Sequence, residues 1–231
     1  MNGVGFQNIS RDSTSEIIIQ QIKRQIASGE LHPGEKLPPE RKLVELLGVS
    51  RTCIREAIQA LAFSGYLKVI QGKGTFITET APKYNEISKL FSKMSGFSLA
   101  SLMEVRIMFE GEFARLAALR RTDNDLTEIS SCFNEMKNAE TIRIFFIKDL
   151  QFHLAIARAT HNEVMNILMK IFGELLHHET NKILDFTSKS KQKTITITAK
   201  IVDAIKKRDS EEAKKFMIEH LKTVKATFGI A

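Results

Sequence analysis

The chain of 231 residues is 43% hydrophobic and has a formal net charge of +7. That apolar fraction is enough for one large or two small cores, and only four prolines and twelve glycines favour a helix-rich fold. No run of about 18 apolar residues occurs and the first residues lack the pattern of a secretory signal, which argues against a membrane or secreted protein. The two cysteines, Cys53 and Cys132, are therefore expected to be free thiols in a reducing cytoplasm.

The positive charge is unevenly distributed along the chain. Residues 11–80 contain ten Lys or Arg against eight Asp or Glu, whereas residues 187–225 contain eleven against five. The excess near the end of the chain is most simply a solvated helix face. The first part of the chain is therefore barely basic, so any contact that it makes with an anionic partner must depend on individually placed arginines rather than on bulk charge.

The first predicted elements are a helix and a short strand. Ile18, Ile22 and Ile26 recur at the spacing of one helix face, and Gly29 ends that helix. A Pro-Gly turn follows and leads to a short strand that we predict at Glu35–Leu37.

Two short helices joined by a tight turn are predicted between Leu37 and Ala60. Gly48 suits the end of the first helix and Ser50 the N-cap of the second. The second helix has one apolar face, and its opposite face begins with Arg51 and Arg55 at i and i+4. This pattern predicts a helix-turn-helix whose second helix presents its first residues to the major groove of DNA.

Two β-rich runs follow, at 66–70 and 75–78, and they flank the sequence Gln71-Gly72-Lys73-Gly74. Glycines in a short connection between such runs predict a hairpin. Three helices and a hairpin form a winged helix-turn-helix domain, which we place at residues 13–80. The small residues and the lysine at the wing tip suit contact with a phosphate backbone or a minor groove.

The rest of the chain is predicted to be helical. Residues 81–98 are polar and weakly periodic, as in a linker that contains one short helix. The domain at 99–228 is predicted to be an antiparallel bundle of about six helices, because short connections separate long amphipathic segments. The segment Thr194–Thr198 alternates with the period of a strand, but a helical stripe at Ile201, Ala204 and Ile205 continues from it, so we predict a helix there.

The motifs PPER, GVSRTCIREAIQAL, Gly-Tyr-Leu and GKGTFI, in that order over residues 13–79, resemble the GntR family of bacterial transcription regulators. The second half resembles the FCD-type ligand-binding domain of the FadR subfamily, through DLQFHLAIARATHN at 149–162, IVDAIKKRD at 201–209 and IEHL at 218–221. The resemblance implies a homodimeric, ligand-responsive regulator, most simply a repressor, that binds pseudo-palindromic double-stranded operator DNA. The DNA-contacting residues that it implies are Arg41, Arg51, Thr52, Arg55, Gln71 and Gly72. Arg41 could instead pair with Glu45.

The resemblance also implies a divalent metal site inside the helical domain. Asp149 and His153, at i and i+4, match two ligands and His220 matches a third. Thr198 occupies the position of the usual fourth ligand. Asp, His and His can still hold Zn²⁺, Mn²⁺ or Ni²⁺, and Thr198 could then hydrogen-bond a bound water. The alternative is a buried, hydrogen-bonded pair of Asp149 and His153 without a metal.

Arg106 matches a position that faces the effector pocket in the family, so the resemblance implies that it binds the carboxylate of a small organic acid. An ion pair with Glu110 within the same helix is the alternative, and the two can coexist. Two other functions are alternatives to a ligand-responsive regulator with a metal site. A metal-free sensor of acyl-CoA would need none of the three ligands. A metal-dependent enzyme would need a separate general base, and the sequence offers no obvious one.

Overall fold

The computed structural model of the protein describes residues 11–79, 98–180 and 188–227. The chain divides into two units, Met1–Asn85 and Glu86–Ala231. Of the segment predicted as a linker, only residue 98 is described, so the short helix expected there lies outside the described residues. Among the described helices, none is long and apolar enough to cross a membrane.

The N-terminal unit is a winged helix-turn-helix, as predicted. Its first and second helices both pack on the third, and its two strands form an antiparallel hairpin. Ile54, Ala57 and Leu61 of the third helix are fully buried at the centre of this core. In chain order the elements are α1 (Arg11–Ser28), α2 (Glu40–Leu47), α3 (Arg51–Phe63), β1 (Leu67–Ile70) and β2 (Gly74–Ile77).

The turn between α2 and α3 is fixed by two local interactions. Gly48 has a φ of 64° and its N–H donates to the carbonyl of Val44, which ends α2 in a left-handed conformation that glycine adopts without steric cost. The hydroxyl oxygen of Ser50 accepts from the N–H of Cys53 and so caps α3. Both signals were predicted from the sequence and are confirmed.

The wing is the hairpin of β1 and β2. Leu67 lies opposite Ile77, and the strands are joined by residues 71–73, where Gly72 has a φ of 73°. The strand predicted at Glu35–Leu37 is wrong in extent, because only an isolated β-bridge joins Lys36 to Phe76. The N–H of Leu37 still donates to the carbonyl of Thr75 at 2.8 Å, but the pairing cannot continue beyond it, since Pro38 and Pro39 have no N–H to donate.

The C-terminal unit is an antiparallel bundle of helices, as predicted. The fourth and ninth helices of the chain make the most extensive contact, and the eighth packs against the ninth. The two cysteines are free thiols. The described helices of this unit are α4 (Leu99–Arg120), α5 (Asp123–Lys137), α6 (Ile142–Arg158), α7 (Glu163–Thr180), α8 (Ser188–Lys207) and α9 (Ser210–Thr227).

The threonine-rich segment with strand-like alternation is helical, as predicted, and lies within α8. Thr194 and Thr198 are both buried, one turn apart on the inner face of the helix. The hydroxyl of Thr198 donates to the carbonyl of Thr194 at 2.9 Å, which satisfies a buried polar group within the helix itself.

Two arginines hold the C-terminal ends of α4 and α8 together, because each donates to backbone carbonyls at the end of the other helix. Arg121, just after α4, donates to the carbonyl of Lys206 at 2.8 Å. Arg208, just after α8, donates to the carbonyl of Arg121 at 2.9 Å and to that of Leu119 at 3.1 Å. Each guanidinium therefore satisfies carbonyls that the other helix leaves unpaired at its C-terminus. These bonds fix α4 against α8, and both helices contribute residues to the site described next.

Candidate metal centre and DNA-binding surface

Three buried side chains from two helices converge inside the C-terminal unit. Asp149 and His153 lie one turn apart on α6, and His220 lies on α9. The Nε2 atoms of the two histidines are 3.0 Å apart. Asp149 lies 3.6 Å from Nε2 of His153 through Oδ2 and 3.4 Å from Nε2 of His220 through Oδ1. The structure therefore brings together the three ligands that the sequence predicts.

These separations fit a metal ion. Ligand atoms at about 2.1 Å from one metal lie about 3.0 Å apart at right angles and about 3.4 Å apart at tetrahedral angles. The carboxylate and the two imidazoles have the donor types that zinc and similar ions bind. In addition, Oδ1 of Asp149 is buried and has no hydrogen-bond partner among the described residues. A cation between the three donors would satisfy that oxygen.

Glu110 and Arg106 form a second layer behind His153. Arg106 is only 2% exposed and its guanidinium pairs with the carboxylate of Glu110, one turn along α4. The same carboxylate contacts Nδ1 of His153. A carboxylate on the far nitrogen of a ligand histidine fixes the orientation of the ring. The intrahelical pair weighed for Arg106 is thus present. The contact of Glu110 with His153 was missed, because it depends on how α4 packs against α6.

The proton positions follow from the charges around each ring. Burial opposes a charge on His153, but the carboxylates of Glu110 and Asp149 outweigh it and raise the pKa of His153 to about 9. Burial lowers the pKa of His220, so this histidine is neutral. Despite burial, Arg106 and His153 lower the pKa of Glu110 to about 2. Without a metal, two positive and two negative side chains therefore balance one another.

Thr198 lies behind His220 rather than among the metal-binding atoms. Its hydroxyl oxygen is 3.4 Å from Nδ1 of His220, on the far side of the ring from Nε2. The sequence predicts that Thr198 hydrogen-bonds a metal-bound water. In the structure its hydroxyl instead lies next to Nδ1 of His220.

The predicted DNA-contacting residues of the helix-turn-helix lie at the surface of the N-terminal unit. The side chain of Arg41 on α2 is 93% exposed and that of Arg51 on α3 is 77% exposed. Arg41 pairs with Glu45 at 3.5 Å, the alternative raised from the sequence, and Arg51 pairs with Glu40 at 3.3 Å.

The other four predicted DNA-contacting residues lie at the start of α3 and at the wing tip of the same unit. Thr52 is exposed and Arg55 is half-buried, both in the first turns of α3. Gln71 and Gly72 are exposed at the wing tip. A winged helix-turn-helix with an exposed helix start and wing, joined in one chain to a helical unit with a buried cluster of aspartate and histidine side chains, defines the class of ligand-responsive DNA-binding regulators.

Comparisons with known proteins agree with this class. Residues 14–77 match the model of the bacterial regulatory proteins of the gntR family, and residues 101–223 match that of the FCD domain. The chain is 36% identical to the HTH-type transcriptional regulator LutR of Bacillus subtilis (strain 168), with 86% of this chain and 94% of LutR covered. It is 31% identical to the Glc operon transcriptional activator of Escherichia coli (strain K12), with 91% and 87% covered.

Two further likenesses complete the comparison. The Putative L-lactate dehydrogenase operon regulatory protein of Escherichia coli (strain K12) is 34% identical, with 92% of this chain and 85% of that protein covered. The solved structure of a Streptococcus agalactiae GntR protein has a TM-score of 0.50 and 26% identity, with 93% and 98% covered. The chain belongs to the GntR family and carries an FCD domain. It is a transcription regulator and not an enzyme.

Proposed function

We propose that the protein is a homodimeric repressor, active in the cytoplasm, whose operator affinity changes when a small carboxylate binds its FCD domain. In this proposal residues 13–80 bind DNA, residues 99–228 bind the effector, and residues 81–98 connect the two. The observation that carries it is the buried cluster of Asp149, His153 and His220, which has the spacing of a metal site in the domain where an effector is expected.

Operator recognition is assigned to residues at the start of α3, on α2 and at the wing tip. An arginine that donates two hydrogen bonds to a guanine contributes about 1–3 kcal/mol of discrimination. The ion pairs of Arg41 and Arg51 are exposed, and such pairs contribute about 1 kcal/mol or less. These arginines can therefore exchange their carboxylates for DNA at small cost. The proposed contacts are Arg41, Arg51, Thr52, Arg55, Gln71 and Gly72.

The proposed metal is Zn²⁺, Mn²⁺ or Ni²⁺, held by Asp149, His153 and His220. When bound, it supplies a positive charge that can accept a carboxylate from the effector. Arg106 is the proposed second anchor for that carboxylate. Because its guanidinium already pairs with Glu110, an effector would have to share Arg106 with Glu110 or displace it.

Small 2-hydroxy acids are the first effectors to test. A carboxylate with an adjacent hydroxyl offers two oxygens to a metal that has only three protein ligands. One relative is named for an L-lactate dehydrogenase operon, and L-lactate has this chemistry. The proposal therefore places L-lactate and related acids ahead of long acyl chains.

The dimer is proposed because two recognition helices are needed to read the two halves of a pseudo-palindrome. One face of α4 supports it with large apolar side chains that remain exposed. Met108 is 71% exposed, and Val105, Phe109 and Leu119 lie on the same face of the helix. We propose that a second copy of the chain covers this face. Effector binding would then shift the two winged units relative to each other, provided that the effector binds one arrangement more tightly.

A metal-free sensor of acyl-CoA type is the second candidate. It is favoured by the balance of charges in the cluster, because Arg106 and protonated His153 already neutralise Glu110 and Asp149.

One experiment separates the two candidates. Purified protein is analysed for metal, stripped with a chelator, and tested for operator binding with a panel of 2-hydroxy acids, with and without Zn²⁺, Mn²⁺ or Ni²⁺. Bound metal, together with a metal-dependent response to an acid, supports the main proposal. A well-folded protein that holds no metal and responds to none of the acids contradicts it.

A further inference from the structure

The hydroxyl group of Thr198 can act toward His220 in only one way. A threonine hydroxyl has one hydrogen to donate and lone pairs with which to accept. That hydrogen is used, because Thr198 donates to the carbonyl of Thr194 at 2.9 Å. The contact of 3.4 Å between Oγ1 and Nδ1 of His220 must therefore have the histidine as donor.

The direction of this bond decides the tautomer of His220. A neutral imidazole carries its hydrogen on one nitrogen and leaves a lone pair on the other. With the hydrogen on Nδ1, the lone pair of Nε2 points to Asp149 and His153, 3.4 and 3.0 Å away. This is the tautomer that a metal ligand needs at Nε2. In the metal-free protein the same lone pair faces Nε2 of His153 at 3.0 Å.

We propose that Thr198 is a positioning residue for His220: it holds the ring in the Nδ1–H tautomer, which turns the lone pair of Nε2 toward the other two donors, and it is not itself a ligand. The proposal rests on the metal site proposed above. The residue type alone does not reveal this role of the hydroxyl. Threonine is a poor substitute for a histidine ligand, but its hydroxyl oxygen is a good acceptor for a histidine N–H. The two histidines then have matching partners, since Glu110 contacts Nδ1 of His153 just as Thr198 contacts Nδ1 of His220.

The test compares three substitutions in the full-length chain. Thr198→Val keeps the shape of the side chain but removes the acceptor, and Thr198→Ser restores it. Thr194→Val is the matched control, because Thr194 is a buried threonine on the same face of α8 whose hydroxyl has no hydrogen-bond partner among the described residues. Zn²⁺ affinity is measured by titrating ZnCl₂ into chelator-stripped protein in competition with a dye. Long-range ¹H–¹⁵N spectra report the tautomer of His220 in the metal-free protein.

We expect Thr198→Val to weaken Zn²⁺ binding by about 10- to 100-fold, the usual effect of losing an outer partner of a ligand histidine. Thr198→Ser and Thr194→Val should bind as the unmodified protein does. His220 should carry its hydrogen on Nδ1 in the unmodified protein and in Thr198→Ser, and should become a mixture of tautomers in Thr198→Val.

Three results would overturn the proposal. The first is a hydrogen on Nε2 of His220 in the unmodified, metal-free protein. This measurement can be made even if none of the variants folds. The second is unchanged Zn²⁺ affinity and unchanged tautomer in Thr198→Val. The third is an equal loss of affinity in Thr194→Val, which would indicate general loosening of α8. If the unmodified protein binds none of the three metals, the proposed metal site fails, and the tautomer of His220 still decides the role of Thr198.

Discussion

The metal-free protein should lose stability as the solution becomes alkaline, and His153 should be the main cause. The pKa of His153 rises from 6.5 to about 9 on folding. Because the folded pKa is higher, the bound proton stabilises the fold. This contribution is complete below about pH 6.5 and is lost as the pH rises through about 9. At about 1.4 kcal/mol for each pH unit, the free energy of unfolding should fall by about 3 kcal/mol.

The measurement is urea unfolding of chelator-stripped protein at several values between about pH 6 and about pH 10. His153→Gln is the control, because it removes the titrating group while lysines and tyrosines still titrate in the same range. The difference between the two pH profiles isolates His153. Zn²⁺ should flatten the profile of the unmodified protein, since a histidine bound to the metal is held without its proton over this pH range.

Two outcomes would contradict this reasoning. One is metal-free protein whose free energy of unfolding changes no more with pH than that of His153→Gln. The other is a loss of stability toward acid over the pH range in which a loss toward base is expected. Either result would mean that His153 is not a buried imidazolium between Glu110 and Asp149, and the balance of charges that favours a metal-free protein would then be absent.

Three further predictions concern the DNA-binding unit, the bundle and the dimer. Arg51→Ala should weaken operator binding in gel-shift titrations by about 10- to 100-fold, whereas Arg24→Ala, which removes an exposed arginine of α1, should not; equal effects would refute a specific contact. Arg121→Ala should destabilise the bundle by about 2–4 kcal/mol in urea, because charge-assisted bonds to the carbonyls at the end of α8 are lost; a change below about 1 kcal/mol would show that these bonds do not hold the helices together. Met108→Glu should produce monomers in analytical ultracentrifugation, while Ser131→Glu on α5 should not; a persistent dimer in Met108→Glu would place the interface elsewhere.

Local signals in the sequence predicted the local structure. Gly48 and Ser50 marked the turn of the helix-turn-helix because each acts on backbone groups within a few residues of itself. The Thr194–Thr198 segment was ambiguous by periodicity alone. It was resolved correctly by the apolar stripe that continues beyond it, and the structure adds that the hydroxyl of Thr198 bonds within the helix. Within the described residues, the strand predicted at Glu35–Leu37 was wrong in extent.

The site was predictable only in part, because its geometry depends on how four helices, α4, α6, α8 and α9, pack against one another. The spacing of Asp149 and His153 placed them on one face, and the resemblance supplied His220. Nothing in the sequence showed that Glu110 would contact His153, since the i and i+4 spacing pointed only to Arg106. The position of Thr198 behind His220 likewise depends on the packing of α8 against α9.

The outer contacts suggest how effector and metal could influence each other. Arg106, Glu110 and His153 form a chain in which one carboxylate serves both a guanidinium and an imidazole. An effector carboxylate that took Arg106 from Glu110 would leave Glu110 with His153 as its remaining partner in this chain. It would thereby change the orientation and basicity of a proposed metal ligand. Linkage then requires that the metal change the affinity for the effector by the same factor. Since Arg106 and Glu110 lie on α4, the first helix after residues 81–98, a shift in their pairing acts on the helix that follows the proposed connection to the DNA-binding unit.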